Sequence, residues 1–420
     1  MKNEGISDRI SRITDGVNHM AIIVQKYGGS SVANPEKIKK VAEKIVDTYK
    51  NGNKVVAVVS AMGKTTDNLI HLAKQIANIP PAREMDLLLS TGEIISVALV
   101  CMAIESLGYQ AEGLPGFLAG IKTDSNHTKA RIRTIDIRRI IKELKNGKIV
   151  VVAGFQGISP EESITTLGRG GSDLTAIAIA GAIKAERCEI YTDVPGVFTA
   201  DPNIVPEARI IPIISYKEML EMASAGAKVM QSRAVEFAQK YHIPFVVKST
   251  FADNGGTMVT EVDLKEGAVV SSVTLDEKQS KITFFRVPDK PGVAAKIFGA
   301  LGKENINVDV IVQNVSIQGY TDLSFTVNST ECERAFEISK NIGKDLGCEN
   351  ITSDSDIAKI TIIGLGMMNH PGVAARMFKA LADAGINIEM ISTSEIKISC
   401  IVKKKDGQKA LKVVHKEFIE

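Results

Sequence analysis

The chain has 420 residues, of which 44% are hydrophobic and 24% are charged, with a formal net charge of +2. This length predicts two or three domains, and the composition excludes a disordered or fibrous protein. The near-balanced charge and the lack of a basic stripe with interleaved aromatic residues argue against binding to nucleic acid.

Membrane and export signals are not predicted. The longest apolar stretch, around Ile94–Ile104, is too short to cross a bilayer. Residues 1–20 are polar and lack the apolar core of a signal peptide, so we expect a disordered N-terminal extension there. The five cysteines are dispersed, with no Cys-x-x-Cys pair, which is typical of a reducing compartment and predicts a cytoplasmic protein.

The first predicted strand, Ala21–Val24, leads into Lys26-Tyr27-Gly28-Gly29. Glycine permits tight turns and lets backbone N–H groups approach an anion, and a neighbouring lysine can neutralise a transferring phosphoryl group. Because Gly-Gly also ends many strands for turn geometry alone, this segment indicates a phosphate site only together with the later motifs.

A second apolar run, Val55–Val59, is followed by Gly63-Lys64-Thr65, which is similar to the end of a Walker loop. That motif requires a glycine where this chain has Val58, so a P-loop is excluded. The hydroxyls of Thr65 and Thr66 are still candidate contacts for a small polar substrate.

An acidic side chain, Glu93, follows Ser90-Thr91-Gly92 and is placed ahead of an apolar helix. An acid at this position could pair with an ammonium group of a substrate. The alternative is a structural role, as a favourable charge in the first turn of the helix.

A second glycine segment, Gly168-Arg169-Gly170-Gly171, precedes a helix predicted over residues 172–184. We expect Ser172 or Asp173 to cap the helix N-terminus, a position that favours anions. Arg169 offers a planar fork for a carboxylate or phosphate. The alternative is a capped helix with a flexible lead-in.

Two further segments carry polar groups. Thr192–Gly196 follows the strand Glu189–Tyr191, and Asp201-Pro202 makes a second turn. Their carboxylates and hydroxyls suit a nucleoside or a metal-linked phosphate, although turns rich in Asp and Pro often have a geometric role only. Lys228, predicted in a helical stretch after Gly226, indicates by itself no more than a surface lysine.

Strand-like and helix-like segments alternate from residue 21 to about residue 262, which predicts a mostly parallel sheet covered by helices on both faces. Ligands of such folds bind beyond the carboxyl ends of the strands, where most of these motifs lie.

Farther along, residues 291–311 and 371–391 form an internal repeat with about half of the positions identical. The sequence of each copy predicts a strand, a helix and two further strands. We therefore expect two small α/β modules packed side by side. The alternative is that the two copies serve only as a scaffold.

In this order, the motifs resemble those of the aspartate kinases, a group within the amino acid kinase family. Lys26–Ala33 is similar to the opening signature, Thr166–Asp173 and Thr192–Gly196 to the two other diagnostic segments, and the repeat to paired ACT modules. Tyr27 and Ser30 stand where many relatives have Phe and Thr, and both changes are conservative. The resemblance extends from about residue 21 to the C-terminus.

The resemblance implies an α/β fold, with an amino-acid-kinase-type, mostly parallel sheet sandwiched by helices over residues 21–262. Two ferredoxin-like (βαββαβ) ACT modules would follow over 263–355 and 356–420, with a strand at 268–275 as a candidate part of the second. The implied activity is ATP-dependent phosphorylation of the side-chain carboxylate of L-aspartate to 4-phospho-L-aspartate, the first step toward lysine, threonine and methionine and, in some bacteria, diaminopimelate. Mg²⁺ is expected with ATP, without ligands supplied directly by the protein.

The resemblance also implies roles for individual residues, carried over position by position. The implied catalytic residues are Lys26, Arg169 and Asp173. The implied nucleotide site contains Lys26, Gly28, Gly29, Thr192, Asp193, Phe198, Asp201 and Lys228. The implied aspartate site contains Thr65, Thr66, Glu93, Phe155, Arg169, Gly170, Gly171 and Ser172. Because a carboxylate oxygen is already a nucleophile, positive groups that offset the repulsion between two anions matter more than a general base.

ACT modules of this family bind amino acids that report the output of the pathway. In the first module the expected effector contacts are Asp289, Gly292, Val293, Ala294, Asn307, Asp309, Gln313 and Asn314. An effector carboxylate is expected at the helix start and a lysine side chain at Asp309. We therefore expect feedback inhibition by lysine, with threonine as a second candidate effector, in a homodimer or larger oligomer assembled through these modules.

Three other classes of protein share some of these sequence features. Other amino acid kinases act on glutamate, N-acetylglutamate, carbamate or UMP, but they generally lack a tandem ACT tail. A non-catalytic amino-acid sensor is disfavoured by the intact set Lys26, Arg169, Asp173 and Asp193. We do not expect a bifunctional kinase–dehydrogenase, because the 420 residues leave no room for a dinucleotide-binding domain after the repeat.

Overall fold

The computed structural model describes residues 21–168, 170–227, 229–252, 255–262, 269–315 and 318–419. The predicted N-terminal extension, residues 1–20, and the predicted site residues Arg169 and Lys228 lie outside the described residues. The chain divides into two compact units, Met1–Asp193 and Val194–Glu420.

Two sheets form the first unit. Its strands are β1 (Ile22–Tyr27), β2 (Lys54–Val59), β3 (Ala111–Leu114), β4 (Ile121–Thr123), β5 (Ile132–Ile135), β6 (Ile149–Ala153), β7 (Gln156–Ile158), β8 (Ile164–Thr166) and β9 (Arg187–Thr192). Five of them pair in parallel in the order β9-β1-β2-β6-β3, and the others form a small sheet in the order β5-β4-β7-β8. The nearly continuous apolar runs of β2 and β6 are typical of parallel strands buried on both faces.

The helices of the first unit are α1 (Pro35–Lys50), α2 (Thr65–Ile76), α3 (Ala82–Ser106), α4 (Arg138–Lys145) and α5 (Gly171–Ile183). Helix α1 begins after a capping residue, because the Asn34 side chain accepts a hydrogen bond from Lys37 N and Pro35 occupies the first turn. Helix α5 is buried along nearly its whole length, which explains its composition of small and apolar residues.

Helix α3 contradicts one prediction. Its 25 residues are long and apolar enough to cross a membrane by length and composition, so the expectation that this stretch is too short was wrong. The helix begins earlier than the apolar run and extends through polar residues. Its side chains Val97, Val100 and Ile104 belong to the hydrophobic core around β1, β2 and β6. We therefore interpret α3 as a core helix of the first unit.

The second unit begins with strands β10 (Ile213–Ser215), β11 (Phe245–Ser249) and β12 (Thr257–Thr260) and helices α6 (Tyr216–Ser224) and α7 (Ser232–Lys240). The strands lie in the order β10-β12-β11, with β12 parallel to β10 and antiparallel to β11. The predicted sheet is therefore mostly, but not entirely, parallel.

A six-stranded antiparallel sheet contains the repeat. Its strands are β13 (Ser272–Pro288), β14 (Val308–Gln313), β15 (Tyr320–Asn328), β16 (Asn350–Ile363), β17 (Met390–Thr393) and β18 (Lys397–Lys403), in the order β14-β15-β13-β16-β18-β17. Its helices are α8 (Val293–Lys303), α9 (Cys332–Leu346), α10 (Val373–Asp383) and α11 (Gly407–Ile419). Apolar side chains of β13 and β15 pack with α8 and α9, and those of β16 and β18 pack with α10 and α11.

Strands β13 and β16 each run through both copies of the repeat. The beginning of β13, Ser272–Asp276, pairs with Lys359–Ile363 near the end of β16, whereas the later part of β13 pairs with the beginning of β16. Each copy therefore has four strands in an equivalent order, β14-β15-β13-β16 and β17-β18-β16-β13, and two helices, as a ferredoxin-like module requires. The exact domain boundaries remain a prediction.

Candidate active site

The end of β1 carries a buried ion pair. Lys26 is 8% exposed, and its Nζ lies 2.6 Å from Oδ1 of Asp173, in the first turn of α5. A Cβ atom added to Gly28 would lie 3.4 Å from Lys26 Nζ, so the backbone passes close to the ammonium group. The structure thus brings together three residues of the predicted site, Lys26, Gly28 and Asp173, on two neighbouring elements.

The ends of β1 and β2 meet helix α3. Gly63 N donates a hydrogen bond of 3.0 Å to Gly29 O, and a Cβ atom on Gly29 would lie only 2.7 Å from Ala61 O. This close approach of two backbones requires glycine at position 29. Ala61 N in turn donates to Oε1 of Glu93 at 3.1 Å, which joins the glycine turn to α3.

Glu93 has a buried carboxylate with one unused oxygen. The residue is 3% exposed, and within the described part of the chain its Oε2 has no hydrogen-bond partner. Burial raises the pKa of this carboxyl from 4.5 to about 7. An ammonium group beside Oε2 would supply the missing donor and stabilise the charged form. Glu93 lies in the middle of α3, so the alternative role as a charge in the first turn is wrong.

The start of α5 differs from the prediction. The helix is preceded by Gly170 with φ 67°, and no side chain caps it. Ser172 and Asp173, the predicted caps, are the second and third helical residues instead. The reason is the left-handed backbone at Gly168 (φ 81°) and Gly170, which turns the chain into the helix earlier than a serine or aspartate cap would. Arg169, between these two glycines, lies outside the described residues.

Phe155 holds an unfavourable backbone conformation next to the glycine segment. Its φ of 70° is in the left-handed region, which is rare for a bulky side chain. Its N–H donates to Thr175 Oγ1 at 3.1 Å and its carbonyl accepts from Leu167 N at 2.8 Å, so two neighbouring segments hold it in place. Backbone strain of this kind is concentrated at functional sites, which supports the predicted role of Phe155.

Ser172 lies against the end of β6. A Cβ atom at Gly154 would come within 2.6 Å of Ser172 Oγ, so only glycine fits there. The predicted contacts Gly170 and Gly171 differ in exposure, since the first is exposed and the second buried. Thr65 and Thr66 are the first two residues of helix α2 and are half-buried. The methyl group of Thr65 would lie 3.5 Å from a Cβ atom added to Gly92, the residue that precedes Glu93.

Sequence reasoning missed Asp86, a fully buried carboxylate in α3 (0% exposed). Thr166 Oγ1 donates to Oδ1 at 2.5 Å, Thr128 N donates to both oxygens at 3.0 Å, and His127 Nδ1 lies 2.7 Å from Oδ2. Asp86 thereby ties α3 to β8, which leads into the glycine segment before α5. A helical pattern could have revealed it, because Asp86 and Glu93 are two turns apart on one face of α3.

A second buried network supports the ends of β1 and β9. The rings of Tyr27 and Tyr191 stack with centroids 4.9 Å apart, and Tyr191 O accepts a hydrogen bond of 3.3 Å from Gly28 N. Tyr27 Oη donates to Gln25 Oε1 at 3.1 Å, and Gln25 Nε2 donates to Glu189 Oε2 at 3.0 Å. These contacts fix the backbone from which Lys26 projects.

The remaining residues that were predicted to bind nucleotide fall in both units. Thr192 ends β9, and Asp193 follows as the exposed last residue of the first unit. In the second unit, Phe198 is half-buried in a β-bridge with Ile210. Asp201 Oδ1 accepts from Asn203 N and Nδ2 at 2.9 and 3.0 Å, so this carboxylate stabilises its own turn. Lys228 lies outside the described residues.

The predicted effector residues lie at the start of α8 and along β14. Gly292 precedes α8 with φ 93°, Val293 is the first helical residue, and Ala294 follows it. The exposed Asp289 comes just before this helix start. Within or beside β14 lie Asn307, Asp309, Gln313 and Asn314.

Charged side chains of the two repeat copies pair reciprocally. Lys359 in β16 contacts Asp309 in β14, and Lys281 in β13 lies 2.5 Å from Glu389, just before β17. Each lysine precedes Ile-Thr in its own copy, and the two carboxylates occupy equivalent places 80 residues apart. The lysine of each copy therefore bonds the carboxylate of the other, and Asp309 already has a cationic partner.

Comparison with known families agrees with this architecture. The model of the amino acid kinase family matches residues 21–249, and the model of the ACT domain matches residues 286–339 and 360–418. The chain belongs to the amino acid kinase family and carries a C-terminal pair of ACT domains.

Within that family the similarity is to aspartate kinases, as the motifs indicated. The chain is 49% identical over 405 residues to the aspartokinase of Mycolicibacterium smegmatis, covering 95% of this chain and 96% of that one. Among solved structures, the aspartate kinase of Synechocystis is 44% identical, with a TM-score of 0.54 over 95% of this chain and 69% of that chain.

The fold is also that of Escherichia coli aspartokinase III. Its complex with aspartate and ADP gives a TM-score of 0.81 at 24% identity, and its complex with lysine and aspartate gives 0.75 at 25% identity. Both matches cover 95% of this chain and 100% of the other. The predicted fold class is confirmed by these likenesses.

Proposed function

We propose that this protein is an aspartate kinase that transfers the γ-phosphoryl group of ATP to the side-chain carboxylate of L-aspartate. The products are ADP and 4-phospho-L-aspartate, the starting compound for lysine, threonine, methionine and diaminopimelate biosynthesis. The observation that carries the proposal is the buried Lys26–Asp173 pair beside the Gly28-Gly29 turn, joined through Ala61 to the unsatisfied carboxylate of Glu93.

Different residues bind the two anionic substrates, ATP and aspartate. Lys26 neutralises the charge that spreads over the transferring phosphoryl group, and Asp173 holds its ammonium in position. Backbone groups at Gly28 and Gly29 line the phosphates. Glu93 binds the ammonium group of aspartate through Oε2, and Arg169 binds a substrate carboxylate in a bidentate manner.

We propose that a magnesium ion enters with ATP and is held mostly by the nucleotide. Within the described residues there is no group of three or more His, Cys, Asp or Glu side chains that could hold a metal. Mg²⁺ commonly keeps water and phosphate ligands and takes only one or two carboxylates from protein. When bound, it would neutralise phosphate charge in addition to Lys26.

Regulation by amino acids is the second part of the proposal. E. coli aspartokinase III has been solved with lysine, and we assign lysine as the effector at Asp309 in the first ACT module, with threonine as a second effector. We further propose a homodimer or larger oligomer assembled through the ACT modules, acting in the cytoplasm. Light scattering coupled to size-exclusion chromatography tests the assembly, and a monomer at working concentration would refute it.

One assay tests the activity. ADP formation is measured with ATP, Mg²⁺ and L-aspartate, and hydroxylamine traps the acyl phosphate product. Glutamate, N-acetylglutamate, carbamate and UMP are the matched alternatives. We expect turnover with aspartate alone, and inhibition on addition of lysine or of lysine with threonine. Faster turnover with one of the alternative acceptors would overturn the assignment.

A further inference from the structure

Helix α6 begins at a buried carboxylate that does more than cap it. Glu218 is 6% exposed and occupies the third position of α6. Its Oε2 accepts from Ser215 Oγ at 2.7 Å and from Ser215 N at 3.3 Å, while Glu218 N donates to Ser215 Oγ. This is a complete capping box, and it uses only one of the two carboxylate oxygens.

The other oxygen of Glu218 binds the six-stranded sheet. Oε1 accepts from Ser271 Oγ and from Leu365 N, the latter at 3.2 Å. Ser271 immediately precedes β13, and its N–H donates to Ile363 O at the end of β16 at 2.7 Å. One side chain therefore joins the start of α6 to the ends of the two strands that run through both repeat copies.

The far end of α6 touches the same sheet. Glu221 lies 2.8 Å from Lys397 in β18. Beyond the helix, Gly226 has φ 106°, and a Cβ atom there would lie 2.9 Å from Asp276 Cβ and 3.1 Å from Leu275 O in β13. The start of α6 and the turn after it therefore both lie against the region of β13, and only glycine fits at position 226.

We propose that Glu218 is a positioning residue that couples the six-stranded sheet to residues 225–227, which precede Lys228 of the proposed nucleotide site. A shift of the ends of β13 and β16 on effector binding moves Ser271 and Leu365, and α6 moves with them because the same carboxylate holds its first turn. This coupling rests on the proposed kinase function, in which Lys228 contacts the nucleotide.

Four variants of the full chain separate coupling from helix capping. Ser271→Ala removes a donor to Oε1 and leaves the capping box intact. Ser215→Ala removes the capping box and leaves both donors to Oε1. Glu218→Ala removes both, because it takes away the two oxygens that accept all of these hydrogen bonds. Ser271→Thr keeps the hydroxyl and serves as the conservative rescue.

We expect Ser271→Ala and Glu218→Ala to raise KM for ATP about fivefold or more and to weaken lysine inhibition about tenfold, with a smaller change in KM for aspartate. Ser271→Thr should restore both values. Ser215→Ala should lower the unfolding midpoint without this change in KM or inhibition. Equal effects of Ser215→Ala and Ser271→Ala on KM for ATP, or none from Ser271→Ala, would overturn the coupling.

An assay of the wild-type chain distinguishes failure of the kinase proposal from failure of the coupling proposal. If it forms no ADP with aspartate, the proposed function is refuted while the coupling is still testable. ADP affinity measured by calorimetry makes the same comparison without turnover. Ser271→Ala should then bind ADP about fivefold more weakly than Ser215→Ala, and equal affinities would overturn the coupling.

Discussion

The first unit and the six-stranded sheet use charged side chains in opposite ways. In the first unit, Lys26, Asp173 and Glu93 occur once each, are buried and have few, defined partners. In the sheet, a lysine and a carboxylate occur at equivalent places in both copies and pair across them. The difference fits the proposed roles, in which phosphoryl transfer uses one asymmetric, buried arrangement and regulation uses contacts that are present in both copies.

Lys26→Met should show the largest effect. Loss of the charge that stabilises the phosphoryl group should lower kcat about 10²- to 10³-fold, measured by ADP formation. Lysine binding, measured by calorimetry, should not change, because the sheet does not depend on this charge. A kcat within threefold of wild type would contradict the role of Lys26.

A control separates catalysis from folding. Lys26→Met leaves Asp173 buried without its cation, which costs about 3–5 kcal/mol of stability in typical buried pairs. The double variant Lys26→Met with Asp173→Asn should regain much of that stability in urea unfolding but no activity. Recovery of kcat in the double variant would show that the single variant had failed only through misfolding.

Glu93→Gln should raise KM for aspartate about 10- to 100-fold, since a charge-assisted hydrogen bond to the substrate ammonium is lost. In the wild type, kcat/KM for aspartate should fall as pH falls through about 7, where Glu93 becomes protonated and loses its charge. The glutamine variant should lack this titration. An unchanged pH profile in Glu93→Gln would assign the titration to another group.

The same carboxyl has a consequence for stability. Its folded pKa of about 7 lies above the ordinary 4.5, so between these values the folded chain binds more protons than the unfolded chain. The substrate-free wild type should therefore lose stability as pH rises through this window, and Glu93→Gln should lose less. Urea unfolding at both ends of the window measures the difference.

Lys359→Met should have a smaller effect, confined to regulation. Without the competing cation, an effector ammonium should bind Asp309 more tightly, and lysine should inhibit at a concentration about three- to tenfold lower. Lys281→Met is the matched control, because it removes the equivalent lysine from Glu389 in the other copy, where Lys403 remains 3.1 Å from the carboxylate. Weaker lysine inhibition in Lys359→Met would show that the pair supports the effector site rather than competing with it.

The smallest expected effect comes from the glycines that open α8 and α10. Gly292 and Gly372 have φ of 93° and 90°, and an added Cβ atom would meet nothing within 4 Å at either position. Alanine at each should therefore cost only the backbone strain, about 1–2 kcal/mol. Equal losses in urea unfolding would confirm that the copies are structurally equivalent here, and unequal losses would break the equivalence.

Much of the fold followed from sequence because local patterns agree with the tertiary structure. The runs that form β2 and β6 are apolar on both faces, and identity between the repeat copies exposed the ACT pair. The cluster around Lys26 was predictable too, since parallel strands bring their carboxyl ends to one edge.

The parts that sequence could not supply depend on contacts between distant segments. Because α3 begins with polar residues, its helical periodicity was not recognised there, and this periodicity places Asp86 and Glu93 on one buried face. The left-handed turn at Gly170 displaced the expected serine cap. The pairing of Asp309 with Lys359 requires a contact between β14 and β16, which no local pattern encodes.

The two long strands also decide how this regulatory region can evolve. A duplicated gene segment normally yields two parts that recombination can later shuffle or discard one at a time. Here, loss of either copy would remove a strand from the other and leave an open edge that invites aggregation. For the same reason, proteolytic cleavage between the copies would release no fragment with a complete sheet. The two copies are therefore expected to be kept or lost together.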